Sequence, residues 1–201
     1  MPPAHLSLLL RRRRSPNRTF LDFNDFNGFN EAVSAVVTMS TWISNSPSDT
    51  WKIAADFFQT LPARRSPDST RDRDEGGELP AVLALHGNLG AGKTCFAQGL
   101  AQAAGVKEPV CSPTYTLISE YQGDIPFHHI DLYRLGGPEE ALDLGLDEYF
   151  ESGGLTVIEW AERAAELLPP STVHIRLDPG DGDQQRIISI VENPLEGNGD
   201  G

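Results

Sequence analysis

The 201-residue sequence is short of cysteine, of long apolar runs and of positive charge. Its two cysteines, Cys95 and Cys111, have no CxxC spacing, so neither a disulfide framework nor a zinc site is expected and a reducing compartment fits. No apolar run approaches the ~20 residues that cross a bilayer. Arg11, Arg12, Arg13 and Arg14 follow the leucine-rich start instead of preceding it, the reverse of a secretory signal, so a cytoplasmic protein is expected. Lys and Arg number 16 against 29 Asp and Glu, and five of the arginines fall in the first twenty residues, which hold no acid. Everything after carries 29 acids against 11 bases, a net of −18. Such a surface repels a phosphate backbone, which excludes non-specific nucleic-acid binding; a role near RNA requires a basic partner.

What is present divides into a folded part and three polar or irregular stretches. Residues 1–40 are Leu-rich, then Arg-rich, then a Phe/Asn/Asp string without helical or strand period. They read as a disordered extension or a start placed upstream of Met39, with an organelle transit peptide as the alternative. Residues 62–78 carry mixed charge and almost no apolar side chain, and loops beyond ~15 residues are uncommon in compact domains, so a mobile insertion is expected there. The Gly- and acid-rich residues 193–201 should fray.

Within 41–192 the elements alternate. A short strand is expected at 42–44, then a helix over 50–60 capped by Ser48 or Asp49, with Trp51, Ala54, Ala55 and Phe58 on one face. Residues 81–86 (Ala-Val-Leu-Ala-Leu-His) form a continuous apolar run of strand length, the mark of a strand buried on both faces of a parallel sheet. A helix over 93–104 ends at Gly105. Strands are expected at 116–121, 126–130 and 155–158. Pro138 opens a helix with Glu139 and Glu140 in its first turn, and a short helix covers 161–168. Residues 172–177 and 186–191 form a closing hairpin. The order predicts an α/β fold, a three-layer α/β/α arrangement of the P-loop NTPase kind with a partly parallel sheet and an antiparallel C-terminal hairpin.

One motif decides the chemistry. Gly87-Asn88-Leu89-Gly90-Ala91-Gly92-Lys93-Thr94 is G-x-x-x-x-G-K-T, the phosphate-binding loop, with a buried strand leading in and a helix leading out. Small residues let backbone N–H groups turn around the β-phosphate at the positive end of the helix. Lys93 reaches the β- and γ-phosphates, and Thr94 offers a hydroxyl to Mg2+, which prefers hard oxygen ligands. Such a loop also needs an acid at the end of a neighbouring strand. Asp131 stands there, either for magnesium or as the cap of the next turn. The hydroxyls of Ser112-Pro113-Thr114-Tyr115-Thr116 and the carboxylate of Glu159, beside Trp160, are the further candidates. For Glu159 a salt-bridged acid next to a core tryptophan is the plainer alternative. Cys95 reads as a small buried residue, with redox control through a thiol pKa lowered by the helix end as the rival. His128 and His129 alternate across a strand and cannot easily share a metal. Trp51, Phe57 and Phe58 default to core.

Taken in order, Gly-Asn-Leu-Gly-Ala-Gly-Lys-Thr, Ser112-Pro113-Thr114-Tyr115-Thr116-Leu117, His129-Ile130-Asp131-Leu132-Tyr133-Arg134-Leu135, Pro138-Glu139-Glu140 and Glu159-Trp160 closely resemble the TsaE (YjeE) family of small ATPases in tRNA threonylcarbamoyladenosine synthesis. The resemblance covers roughly residues 42–191; the first forty residues and the 62–78 insertion depart from it. It implies an ATPase that binds ATP and Mg2+, hydrolyses slowly, and works with a threonylcarbamoyl transferase and its sugar-kinase-like paralogue, of TsaD and TsaB type. It implies that Lys93 binds phosphate, that Thr94 and Glu159 lie on the magnesium side with Asp131, and that Asp131 is the acid needed for hydrolysis. Thr114 resembles the switch-like residue near the γ-phosphate and Trp160 the tryptophan beside the nucleotide. Cys95 belongs to the loop's stretch of contacts, and residues 46–50 and Arg186 correspond to places where the family touches nucleotide. A small-molecule kinase shares the loop and the α/β order but needs an arginine-rich lid, for which only 64–73 is a candidate. A non-catalytic nucleotide sensor is the third reading. A GTPase is excluded by the lack of an NKxD-like segment.

Overall fold

The computed structural model describes residues 38–61 and 81–192; the expected extension up to residue 37, the insertion loop with its lid candidate, and the tail lie outside them. The chain order is β1 (Thr38–Ser44), α1 (Pro47–Phe58), β2 (Ala81–His86), α2 (Lys93–Ala103), β3 (Ile118–Gln122), β4 (Pro126–Asp131), α3 (Pro138–Leu142), α4 (Leu146–Glu151), β5 (Leu155–Glu159), a 3-10 helix (Ala161–Leu167), β6 (Val173–Pro179) and β7 (Arg186–Glu192). One seven-stranded sheet results, in the order β1-β7-β6-β2-β5-β4-β3. β6, β2, β5 and β4 run parallel; β7 pairs antiparallel with both β6 and β1, and β3 pairs antiparallel with β4.

Burial explains this order. β2 and β5 are apolar on both faces and occupy the middle of the sheet, where only strands without a solvated face are stable. One face packs Leu83, Leu85, Phe127, Leu155 and Ile175 under Ala54 and Phe57 of α1 and Phe96 and Leu100 of α2. The other packs Val82, Ala84, Ile130 and Ile158 against Ala141, Leu146, Phe150 and Ala164. Two apolar layers on opposite faces make the expected three-layer α/β/α arrangement. The two helices of the first layer meet at Gly99, where a Cβ would lie 2.8 Å from the Ala54 Cβ and the Trp51 Cα.

Several local expectations shift. α1 starts at Pro47, not Thr50, because Ser46 is the cap. Its hydroxyl accepts the Asp49 N–H at 3.1 Å, and Pro47 at the first helical position has no N–H to leave unpaired. The buried residues of α1 are Thr50, Ala54 and Phe57, so Trp51, 41% exposed, is not core. β1 begins at Thr38, earlier than the expected 42, because the whole of β7 is available to pair with it. β3 starts only at Ile118: Leu117 adopts φ 64° and its N–H closes a turn onto the Pro113 carbonyl. Gly145 in the left-handed region ends the Pro138 segment and starts the unforeseen α4. The 161–168 helix is of 3-10 type, with Ala164 at φ −132° interrupting it.

Candidate functional site

The loop between β2 and α2 holds Gly87, Gly90 and Gly92 at φ 136°, 78° and 102°, conformations that side-chain-bearing residues rarely adopt. A Cβ at Gly87 would fall 2.3 Å from the Leu177 carbonyl oxygen of β6, so the loop is pressed against the sheet edge. Gly92 is the residue before α2 and supplies no side-chain cap. The first N–H groups of the helix therefore face outward as donors for an anion.

Lys93 is 4% exposed. Its Nζ donates to the carbonyls of Gly87 at 2.6 Å and Asn88 at 3.1 Å, and lies 4.0 Å from the centre of the Trp160 ring. Burial lowers its pKa, opposed by the negative charges of Glu159, Glu162 and Asp131. Trp160, at φ 57°, turns its ring back over the loop, and Tyr133 packs on it with ring centres 5.0 Å apart.

Two carboxylates face the loop from adjacent strand ends. Asp131 of β4 and Glu159 of β5 are partners in register, 2% and 3% exposed. Glu159 Oε1 accepts from Thr94 Oγ1 at 2.7 Å and from His129 Nε2 at 2.9 Å. A carboxylate only accepts, so His129 carries its proton on Nε2; its Nδ1 is buried without a partner. Asp131 Oδ2 accepts from Ser112 Oγ at 2.7 Å and from Thr114 Oγ1, and these hydroxyls lie 2.6 Å from each other. Asp131 Oδ1 accepts the Tyr133 N–H at 3.0 Å. Asp131 thus caps its own turn and also lines the cleft beside the loop. The same holds for Glu159, which is both half of a buried pair with His129 and a neighbour of the loop threonine.

These groups enclose a cleft of about 320 Å³ lined by Leu89, Gly90, Ala91, Gly92, Lys93, Thr94, Ser112, Thr114, Asp131, Tyr133, Glu159 and Trp160. Most of the expected site residues thus converge. Gly87 and Asn88 contribute carbonyls to Lys93 rather than wall. Cys95 stands outside the lining, its Sγ 3.6 Å from the Pro47 carbonyl. Burial pushes the thiol pKa up, against smaller effects of Trp51 and Arg186, which speaks against the rival reading of a helix-end-lowered thiol. That contact sets the 46–50 segment beside the first turn of α2. Arg186 is not among the lining residues; it donates to the Ala91 and Gly90 carbonyls of the loop.

His129 and Tyr133 complete the site and were not foreseen in these roles. His129 had a readable signal, since it lies two residues before Asp131 on one strand and so on the same face; Tyr133 had none. A second polar cluster lies under the loop. His86, the last residue of β2, places Nδ1 3.3 Å from Glu162 Oε2 and Nε2 2.9 Å from His174 Nδ1. Burial raises the Glu162 pKa, but the His86 hydrogen bond and the charges of His86 and Lys93 outweigh it and hold the carboxyl below its usual range.

For a cation, the cleft offers the Thr94 hydroxyl and two carboxylates, a hard oxygen set suited to Mg2+. Among the described residues no three His, Cys, Asp or Glu side chains are placed to hold a metal by themselves. No helix among the described residues is long and apolar enough to cross a membrane.

The family described as threonylcarbamoyl adenosine biosynthesis protein TsaE matches residues 44–188. A tRNA threonylcarbamoyladenosine biosynthesis protein TsaE of Treponema pallidum (strain Nichols) is 46% identical over 100 residues, covering 50% of this chain and 74% of that protein. The Bacillus subtilis (strain 168) protein of the same name is 44% identical over 117 residues, covering 57% and 73%. The crystal structure of Bacillus subtilis YdiB superposes with a TM-score of 0.61 at 32% identity, covering 78% of this chain and 87% of that one.

Proposed function

Because this chain belongs to the TsaE family of threonylcarbamoyl adenosine biosynthesis proteins, we propose that it is the ATP-binding and ATP-hydrolysing component of the machinery that forms threonylcarbamoyladenosine in tRNA. The observation that carries this reading is the register of β4 and β5, which sets Asp131 and Glu159 side by side across from Lys93 and Thr94 in one cleft.

Phosphoryl transfer to water needs positioning and charge neutralisation more than covalent chemistry. Lys93 is stored on carbonyls of its own loop and exchanges them for the β- and γ-phosphates. Thr94 and Glu159 hold the magnesium side, with Glu159 fixed in orientation by His129. A bound Mg2+ supplies Lewis-acid stabilisation of charge on the phosphate oxygens. Asp131 orients the attacking water once the hydroxyls of Ser112 and Thr114 release it to face the γ-phosphate. Tyr133 and Trp160 form the wall that limits water.

The acidic folded part suits a component that reaches tRNA only through partners, here a threonylcarbamoyl transferase and its sugar-kinase-like paralogue of TsaD and TsaB type. Hydrolysis then resets that assembly between modification cycles. The test is ATP hydrolysis by the purified chain, alone and with the transferase pair, together with modified adenosine in tRNA, for wild type and Asp131→Ala. Hydrolysis that rises with the partners, and loss of both outputs in the variant, is the expected result. Phosphate transferred to an added small acceptor instead of water would replace this reading with a kinase.

A further inference from the structure

His174, His86 and Glu162 form a polar cluster that contributes no wall to the cleft. His86 ends β2 directly before Gly87, and in the register of β2 on β6 Ala84 faces His174. Ala84 and His86 share one face of β2, so both imidazoles stand on the side of the sheet where Ala161 and Ala164 of the 3-10 helix join Ala84 in one apolar cluster. His86 Nε2 lies 2.9 Å from His174 Nδ1 with the rings 16° from coplanar, and His86 Nδ1 lies 3.3 Å from Glu162 Oε2. A carboxylate only accepts, so His86 carries a proton on Nδ1, and one further proton serves the contact between the rings. Trp160, two residues before Glu162, sits at φ 57°, a conformation that a bulky residue keeps only where its surroundings hold it. The Arg163 N–H, donating to the Trp160 carbonyl at 3.0 Å, holds this turn from within; the His86–Glu162 contact holds it from the sheet.

We propose that His86 and Glu162 are positioning residues: together they clasp the segment that carries Trp160 onto the phosphate loop, and His174 fixes the His86 ring from β6. The contacts close a circuit. Lys93 Nζ donates to the Gly87 carbonyl at 2.6 Å and lies 4.0 Å from the centre of the Trp160 ring. Trp160 leads along the chain to Glu162, Glu162 meets His86, and His86 leads along the chain back to Gly87. The His86–Glu162 contact is the link of that circuit that can be cut without removing a group that lines the cleft. Its strength is bounded by exposure, since the Glu162 side chain is 48% exposed against 19% for His86, and an isolated ion pair that open contributes little. Here the imidazole is already fixed on its other side by His174, so forming the contact orders only the Glu162 side chain. The Glu162 charge also acts on the buried Lys93 ammonium, which ties the clasp to the loop electrostatically as well as by contact.

This inference rests on the nucleotide reading of the cleft in one readout only, and the experiment keeps the two apart. The full chain carrying Trp42→Phe and Trp51→Phe retains Trp160 as its sole tryptophan. In this background the emission of Trp160, its quenching by acrylamide, ADP affinity by calorimetry and melting temperature are measured for Glu162→Ala, His86→Phe and the double variant. Each single variant should raise the quenching of Trp160 in the nucleotide-free protein and weaken ADP about threefold, the size expected of one partly exposed ion pair. The double variant should add nothing further, because both changes cut the same contact. Lower melting temperatures with unchanged quenching would mark a merely structural pair and overturn the inference. Effects that sum in the double variant would overturn it too, as would a more readily quenched Trp160 with ADP affinity unchanged. If His86→Phe does not fold, His86→Asn takes its place in the cycle. A chain that binds no ADP even with all three tryptophans, while the quenching pattern holds, upholds the clasp and refutes the nucleotide reading.

Discussion

Asp131 and Glu159 end neighbouring parallel strands in register and are equally buried, yet their surroundings differ. Glu159 is held by Thr94, on the first turn of α2, and by His129, fully buried within β4. Both partners belong to regular elements fixed by the core. Asp131 is held by Ser112 and Thr114, which stand on the irregular segment before β3, and by the backbone of its own turn. A rotating hydroxyl on a loop exchanges partners at little cost, whereas a buried imidazole does not. The difference separates a carboxylate held by regular elements from one held by loop hydroxyls, which matches the division between the ion-holding and water-orienting roles proposed for them.

The largest expected effect tests that rigidity. Glu159→Ala leaves the buried His129 Nε2 and the Thr94 hydroxyl without their acceptor and should cost about 3 kcal/mol, read from urea unfolding. Asp131→Ala should cost about half as much, because Ser112 and Thr114 still bond each other and reach water. Equal losses would erase the distinction.

Acid titration of a histidine outside the cleft supplies a second contrast. Burial and then the neighbouring His86 push His174 from the ordinary 6.5 down to about 4. The unfolded chain therefore takes up the proton first. Stability from this group is complete above pH 6.5 and declines as pH falls toward 4, by up to about 3 kcal/mol. Urea midpoints between pH 7 and pH 4 should follow that slope, and His174→Gln should flatten it. A slope unchanged in the variant would assign the acid sensitivity to the cleft instead.

Chemistry offers the next contrast. Asp131→Asn should slow hydrolysis about 100-fold, roughly 2.7 kcal/mol of barrier, with ATP affinity altered only a few-fold. Glu159→Gln should instead raise the Mg2+ concentration for half-maximal nucleotide binding about tenfold. Titrations of Mg2+ and ATP on both variants check this, and a reversed pattern would exchange the two roles. The smallest effect belongs to Ser112→Ala, which leaves Asp131 its Thr114 partner. A stability loss near 1 kcal/mol and a rate change below about fivefold are expected, in contrast to the Glu159 variants.

Much of this architecture was readable along the chain. The apolar 81–86 segment announced a doubly buried strand, and the paired glycines with Lys93 and Thr94 announced the loop after it. Element starts were less legible. Ser48 and Asp49 both read as caps of α1, yet Ser46 takes that place because Pro47, which lacks an N–H, fits the first helical position. α4 was missed because Gly145 in the left-handed region separates two short helices inside one polar stretch.

The eight contiguous residues Gly87 to Thr94, with a buried strand before and a helix after, carry the phosphate-loop pattern in the sequence, because turning a backbone around an anion depends on local dihedral freedom and on the helix that follows. The alternation of apolar runs likewise determined an α/β sheet with helices on both faces, since hydrophobic periodicity is a local property of the chain. Which partners complete the loop was decided only by tertiary structure. Thr94 meets Glu159 across 65 residues, His129 meets Glu159 across 30, and Arg186 reaches Ala91 across 95. Strand order and register create those meetings, and they are properties of the packed sheet that no local pattern encodes.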